Sequence, residues 1–127
     1  MNTEFGEYVK AKRMEKGVNL RKLAELLGIV PAYMSDIEKG RRYPPDKDKL
    51  YKIAEVLQLT EKERDDMFDL AALANDNAVS PDLPEYIMGS EKARVALRMA
   101  RDINAGDKVW QDVIDMLEAQ EKGESDT

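Results

Sequence analysis

The chain contains no cysteine and no histidine. The absence of cysteine excludes a disulfide framework and thiolate metal sites, and it is compatible with a reducing cytoplasm. The absence of histidine removes the usual zinc sites, the Ser-His and Cys-His nucleophile pairs and an imidazole general base. No glycine-rich phosphate loop is present either. We therefore expect no metal, no cofactor and no enzymatic activity.

Long apolar runs are also missing. No stretch approaches the length of a membrane span, and the N-terminus lacks the charged-then-apolar pattern of a signal peptide. The alternating β-branched runs that form strands are absent too. Charged residues make up 36% of the chain and hydrophobic residues 43%, and the good helix formers are abundant. The composition predicts a soluble, all-α cytoplasmic protein that has no membrane partner.

The net charge of −6 is distributed unevenly. Residues 1–59 contain 12 Lys and Arg against 9 Asp and Glu, a net charge of +3. Residues 60–127 contain 8 against 17, a net charge of −9. Because binding to phosphate depends on the local potential and not on the total charge, a nucleic acid would bind the first half, and the acidic half would face away.

Residues 19–42, NLRKLAELLGIVPAYMSDIEKGRR, predict two short helices joined by a tight turn. Asn19 is a good N-cap, Gly28 can adopt the left-handed conformation that ends a helix, and Pro31 suits a first turn. An apolar face at helical spacing consists of Leu20, Leu23, Ala24, Leu27, Met34 and Ile37. Two such helices followed by a basic exit are typical of a helix-turn-helix DNA reader.

Three pieces of sequence carry a family resemblance. They are KRMEKG at 12–17, LAELLG at 23–28 and SDIEKGRRYPP at 35–45. In this order and spacing they resemble the Cro/CI-type helix-turn-helix of the Xre family of bacterial and phage repressors. The resemblance covers residues 5–73 and implies a five-helix, lambda-repressor-like domain over residues 1–74 that binds double-stranded DNA.

The resemblance also implies which residues contact DNA. Base contacts in the major groove are implied for Pro31, Ala32, Tyr33, Ser35 and Asp36. Phosphate contacts are implied for Asn19, Arg21, Lys22, Lys39, Arg41 and Arg42. None of the base-reading candidates is an Arg, Asn or Gln, and Leu20 stands where many family members have Gln. The alternative is that Asp36 only balances nearby cations and that the basic residues form a solvated surface.

Arg13 and Glu38 have a different expected role. Family members often pair an Arg late in the first helix with a Glu at the end of the third. The resemblance therefore implies a structural salt bridge between these two residues.

The remaining helices follow from their apolar stripes and caps. Leu50, Ile53, Ala54 and Leu57 give a fourth helix its apolar stripe, and Thr60 with Glu63 forms a capping box for a fifth. The residues expected to close the core are Met67, Phe68, Leu70, Ala71 and Leu73. Beyond them we predict a linker at 75–84, a short C-terminal helical segment at 85–121 and a disordered polar tail at 122–127.

The C-terminal helical segment has an apolar stripe whose partner the sequence does not reveal. Its candidate dimerisation residues are Leu97, Trp110, Val113, Ile114 and Leu117. A homodimer would place two recognition helices on a near-palindromic operator. Packing against the first domain and binding of a protein partner are the alternatives.

Carboxylate clusters such as the one at 61–66 are more often solvation and helix-start charges than a metal or catalytic site. The sequence therefore predicts a DNA-binding transcriptional regulator that acts as a dimeric repressor. The alternative is a protein-interaction module or antitoxin, whose acidic C-terminal half binds a protein.

Overall fold

The computed structural model describes residues 2–76 and 78–125, with side chains described as far as residue 123. Within those residues it contains eight helices and no strand, which confirms the all-α prediction. The helices are α1 Glu4–Glu15, α2 Leu20–Leu27, α3 Pro31–Glu38, α4 Lys47–Val56, α5 Glu61–Ala74, α6 Pro84–Met88, α7 Glu91–Asp102 and α8 Asp107–Ser125. None of these helices is both long and apolar enough to cross a membrane.

The chain forms two units, Met1–Tyr86 and Ile87–Thr127. The predicted linker at 75–84 therefore lies within the first unit, up to the start of α6. Within this segment the buried Ser80 donates a hydrogen bond to Asp82, and just after it Glu85 forms an ion pair with Lys47 of α4 at 2.9 Å.

The turn between α2 and α3 is set by local chemistry. The side-chain oxygen of Asn19 accepts a hydrogen bond from the backbone N–H of Lys22 at 2.7 Å and so caps α2. Gly28 ends α2 with φ 73°, in the left-handed region that glycine adopts at little cost. Pro31 is the first residue of α3, where no intrahelical bond to its nitrogen is required.

The core of the first unit consists of residues from all five of its long helices. These are Phe5, Val9, Leu23, Ala24, Leu27, Met34, Ile37, Leu50, Ile53, Ala54, Leu57, Met67, Phe68 and Ala71. The prediction for Leu73 was wrong, because its side chain is 48% exposed while Ala72 is buried. Phe68, Ala71 and Ala72 fall on one face at spacings of three and four, and Leu73 is turned about 100° away from Ala72.

Gly6 allows α1 and α3 to approach closely. A Cβ atom at Gly6 would lie 2.6 Å from the carbonyl carbon of Glu38 and would overlap the carbonyl oxygens of Ile37 and Glu38. The C-terminal end of α3 is therefore placed by direct packing of its backbone against the first turn of α1.

The second unit is built from α7 and α8. Ser90 caps α7 by accepting a hydrogen bond from the backbone N–H of Ala93, and Arg94 donates to the carbonyls of Ile87 and Met88. The predicted tail is in part helical, because α8 continues to Ser125; residues 126–127 lie outside the described part of the chain. From residue 87 to residue 123, no side chain is buried.

Candidate nucleic-acid interface

Helix α3 has one face in the core and one face toward solvent. Met34 and Ile37 are buried, and these two residues lie three apart on the inner face. The five base-reading candidates are on the outer part of the helix: Pro31, Ala32 and Tyr33 are exposed, and Ser35 and Asp36 are half-buried. The structure thus gathers all five of them on the surface of a single helix.

The basic loop after α3 is drawn back onto that surface. Arg41 Nη1 and Arg42 Nε each lie 3.8 Å from a carboxylate oxygen of Asp36. The guanidinium carbon of Arg42 lies 4.5 Å from the centroid of the Tyr33 ring, in a cation–π arrangement. Asp36 therefore forms ion pairs with two of the predicted phosphate-binding residues.

The remaining phosphate candidates are exposed. Arg21 and Lys22 are in the first turn of α2, where backbone N–H groups and the helix dipole favour an anion. The side-chain oxygen of Asn19 accepts the capping hydrogen bond, and the side-chain NH₂ group of Asn19 keeps its N–H donors. Lys39 follows directly after α3. These side chains and the Arg41–Arg42 pair surround α3 with positive charge.

A groove lined mainly by polar and charged residues lies between α1, the start of α2 and the end of α3. Its volume is about 320 Å³, and its lining residues are Thr3, Glu7, Lys10, Arg13, Leu20, Ser35, Glu38 and Lys39. Lys10 and Lys39 bring two ammonium groups to this groove beside the base-reading candidate Ser35. The assignment of site residues from sequence did not include Lys10; the only signal for it was the excess of Lys and Arg over Asp and Glu between Lys10 and Arg42, 9 against 4.

At the inner end of this groove, Arg13 and Glu38 form a bidentate ion pair. Arg13 Nε donates to Glu38 Oε2 at 2.8 Å, and Nη2 donates to Oε1 at 3.0 Å. A third bond runs from Nη1 to the carbonyl of Val18 at 3.0 Å. The hydrogen bond to Glu38 raises the pKa of Arg13 above its usual value. Both side chains are nearly buried, at 11% and 3% exposed, so the pair ties α1 to the end of α3.

A comparison with known protein families agrees with the arrangement of α2 and α3 as a helix-turn-helix. A family model described as helix-turn-helix matches residues 9–63, which run from the middle of α1 to the first turn of α5. Residues 9–63 form a helix-turn-helix domain.

Relatives of the helix-turn-helix domain are found in bacteria and phage. The HTH-type transcriptional regulator SinR of Bacillus subtilis (strain 168) is 36% identical over 56 residues, which are 44% of this chain and 50% of SinR. The ImmF control region 10 kDa protein of Bacillus phage phi105 is 39% identical over 56 residues, 44% of this chain and 61% of that protein. The chain thus spans about half to three fifths of the length of these relatives.

Among solved structures, a chain of the SinR protein/SinI protein complex superposes with a TM-score of 0.42 at 22% identity. It covers 93% of this chain and 98% of that chain.

Proposed function

We propose that this protein is a sequence-specific, double-stranded DNA-binding transcriptional regulator whose helix α3 reads the major groove. The observation that carries this proposal is the outer face of α3, where small and polar side chains are flanked by the N-terminus of α2 and by a basic loop. A helix with that surface fits a major groove about 12 Å wide, and the flanking cations lie where phosphates would pass.

The base-reading candidates differ in what they can recognise. Ala32 can contact a thymine methyl group, Ser35 can serve several bases, and Asp36 can accept from cytosine N4. Tyr33 can donate to a phosphate or lie against a base edge. Pro31 begins the helix and fixes the direction in which these side chains enter the groove.

The phosphate contacts position the domain on the duplex. We assign them to Asn19, Arg21, Lys22, Lys39 and Arg41, and we add Lys10 because it lies on the same groove as Lys39. Arg42 belongs to the same loop, but its contact with Tyr33 gives it a further role that is argued below.

We propose that the second unit pairs two copies of the chain. Supporting this, Leu97, Trp110, Ile114 and Leu117 are each at least 38% exposed, and Val113 is half-buried. Two helices without a buried residue gain little stability from their own contacts, and a second copy would cover the apolar stripe. The dimer would place two α3 helices about 34 Å apart, one turn of DNA, and binding would repress by excluding polymerase.

The salt dependence of binding to double-stranded DNA tests this function. A dimer that neutralises about six to eight phosphates should give a log–log slope of about −5 to −7 between the association constant and the salt concentration. Arg41→Ala should flatten the slope by about 1 per subunit and weaken binding to every sequence alike. A slope near zero would contradict the proposal.

The acidic character of residues 60–127, with a net charge of −9, together with their exposed apolar stripe, favours a second candidate function. In that reading the C-terminal half binds another protein, as an antitoxin would bind its toxin. The affinity of such a protein for DNA would not depend steeply on salt concentration, unless the protein also bound DNA.

A further inference from the structure

Three side chains form a cluster on the outer surface of α3. Tyr33 and Asp36 lie three residues apart on the same face of the helix, and Arg42 returns to them from the following loop. The Arg42 guanidinium lies over the Tyr33 ring at 4.5 Å, and its Nε lies 3.8 Å from Asp36 Oδ2. The loop cation is thus held against the helix that we propose as the DNA reader.

The cluster orients Arg42 without using its hydrogen-bond donors. A separation of 3.8 Å is an ion pair and is too long for a hydrogen bond. Stacking on Tyr33 engages the face of the guanidinium and leaves its edge free. Among the described residues, no acceptor receives a hydrogen bond from the Arg42 side chain. All five of its N–H donors are therefore available to a ligand.

Arg41 provides the contrast. It lies at the same distance from Asp36 and carries the same charge, but no aromatic ring fixes its plane, and its side chain is 68% exposed. A phosphate contact requires only a positive charge within reach, whereas a base edge requires a donor pair in a fixed plane. The two neighbouring arginines therefore suit different contacts.

We propose that Arg42 is a base-reading residue that donates two hydrogen bonds to O6 and N7 of a guanine in the major groove, and that Tyr33 and Asp36 are its positioning residues. This inference rests on the proposed function and deepens it. It supplies the long bidentate donor that α3 itself lacks, in the pairing that arginine makes most often with DNA bases.

The test uses the full chain and a site selected from random double-stranded DNA. Each guanine of the site is replaced in turn by 7-deazaguanine, which keeps base pairing but replaces the acceptor N7 with C–H. Binding is measured by fluorescence anisotropy for the wild type and for Arg42→Ala, Arg41→Ala, Tyr33→Ala and Asp36→Asn. Circular dichroism verifies that each variant is folded, which we expect because all four side chains are at least partly exposed.

We expect one guanine per half-site at which 7-deazaguanine weakens wild-type binding roughly 10- to 100-fold. Arg41→Ala should retain this sensitivity, although it binds less tightly overall. Arg42→Ala should lose the sensitivity, and Tyr33→Ala and Asp36→Asn should reduce it.

Two results would overturn the inference and leave the proposed function intact. One is an Arg42→Ala variant that binds every probe more weakly but keeps the wild-type 7-deazaguanine profile, as a phosphate contact would. The other is sensitivity to inosine, which lacks only the minor-groove amino group, in place of sensitivity to 7-deazaguanine. If the wild type selects no site at all, the proposed function fails and this inference fails with it.

Discussion

At the scale of single residues, the ion pair between Arg13 and Glu38 links two helices of the first unit. It is nearly buried, it is bidentate, and it fixes the end of α3 against α1. Breaking a buried pair is costly because the remaining charge is left without a partner, whereas replacing both charges with apolar groups is often close to neutral.

Glu38→Ala should therefore lower the free energy of unfolding by about 3–5 kcal/mol, as measured by urea denaturation. The double variant Arg13→Met with Glu38→Leu is the matched control and should lose considerably less. A loss below about 1 kcal/mol for Glu38→Ala would mean that the pair behaves as an exposed salt bridge.

Gly6 is a residue whose importance lies only in its lack of a side chain. Gly6→Ala should favour the helix locally by up to about 1 kcal/mol, but it forces Cβ against the backbone of Ile37 and Glu38, which cannot rotate away. We expect a net destabilisation of about 1–3 kcal/mol and weaker DNA binding, because α3 is displaced.

Gly106→Ala is the control for this substitution, since a Cβ there meets no atom within 4 Å. Its thermal midpoint should stay close to that of the wild type. Equal stability of the two variants would show that α1 and α3 can separate at no cost.

Sequence reasoning at this scale succeeded where the cause is local. The caps at Asn19 and Thr60 and the stop at Gly28 depend on residues within four positions of one another, so their types predict them. Gly6 and the Tyr33–Arg42 stack were missed because they depend on how separate segments come together in space. The roles of the DNA-contact candidates stay predictions.

At the scale of elements, the start of α5 is linked to α1. Glu63 completes the capping box with Thr60, and its carboxylate accepts a hydrogen bond from Lys12 Nζ. The Tyr8 hydroxyl donates to the carbonyl oxygen of Glu63 at 3.1 Å. The hydrogen bonds from Lys12 and from the Thr60 backbone lower the pKa of Glu63 from 4.5 to about 2.

This shift predicts the acid stability of the fold. Because the pKa of Glu63 is lower in the folded state, its contribution is complete above pH 4.5 and is lost as the pH falls toward 2. Glu63→Gln should make the loss of stability between those pH values less steep, as measured by urea denaturation at a series of pH values. Exposed Glu61→Gln should keep the wild-type profile; identical profiles for all three proteins would exclude the coupling.

The order and approximate bounds of the helices could be predicted from apolar spacing and caps. One error was at the last turn of α5, where Leu73 is exposed and does not belong to the core. The other was at the C-terminal end of α8. We predicted a polar tail from Lys122 onward, but α8 continues to Ser125, since adding a residue to an existing helix costs less than starting a new one.

At the scale of the whole molecule, the first unit has a core and the second has none among its described side chains. The apolar periodicity predicted a stripe on α8. It does not identify what covers that stripe, because periodicity within one helix carries no information about its packing partner. The dimer is therefore argued from exposure and stays a proposal.

Leu117→Glu should disrupt the proposed dimer, because it places a charge on the apolar stripe. Sedimentation velocity should show a monomer, and DNA binding should weaken by about 100-fold, since each half-site is then bound independently. Met116→Glu is the control, because Met116 is exposed on α8 but lies off the stripe. A Leu117→Glu protein that remains dimeric would place the interface elsewhere.

The central claim is that α3 reads a DNA sequence. Its most direct test is selection of random double-stranded DNA on the purified protein at about 150 mM salt, followed by sequencing of the retained molecules. We predict a two-fold symmetric motif whose half-sites are centred about one helical turn, or a multiple of it, apart. Absence of any enriched sequence would contradict the account and would favour a protein as the partner of this chain.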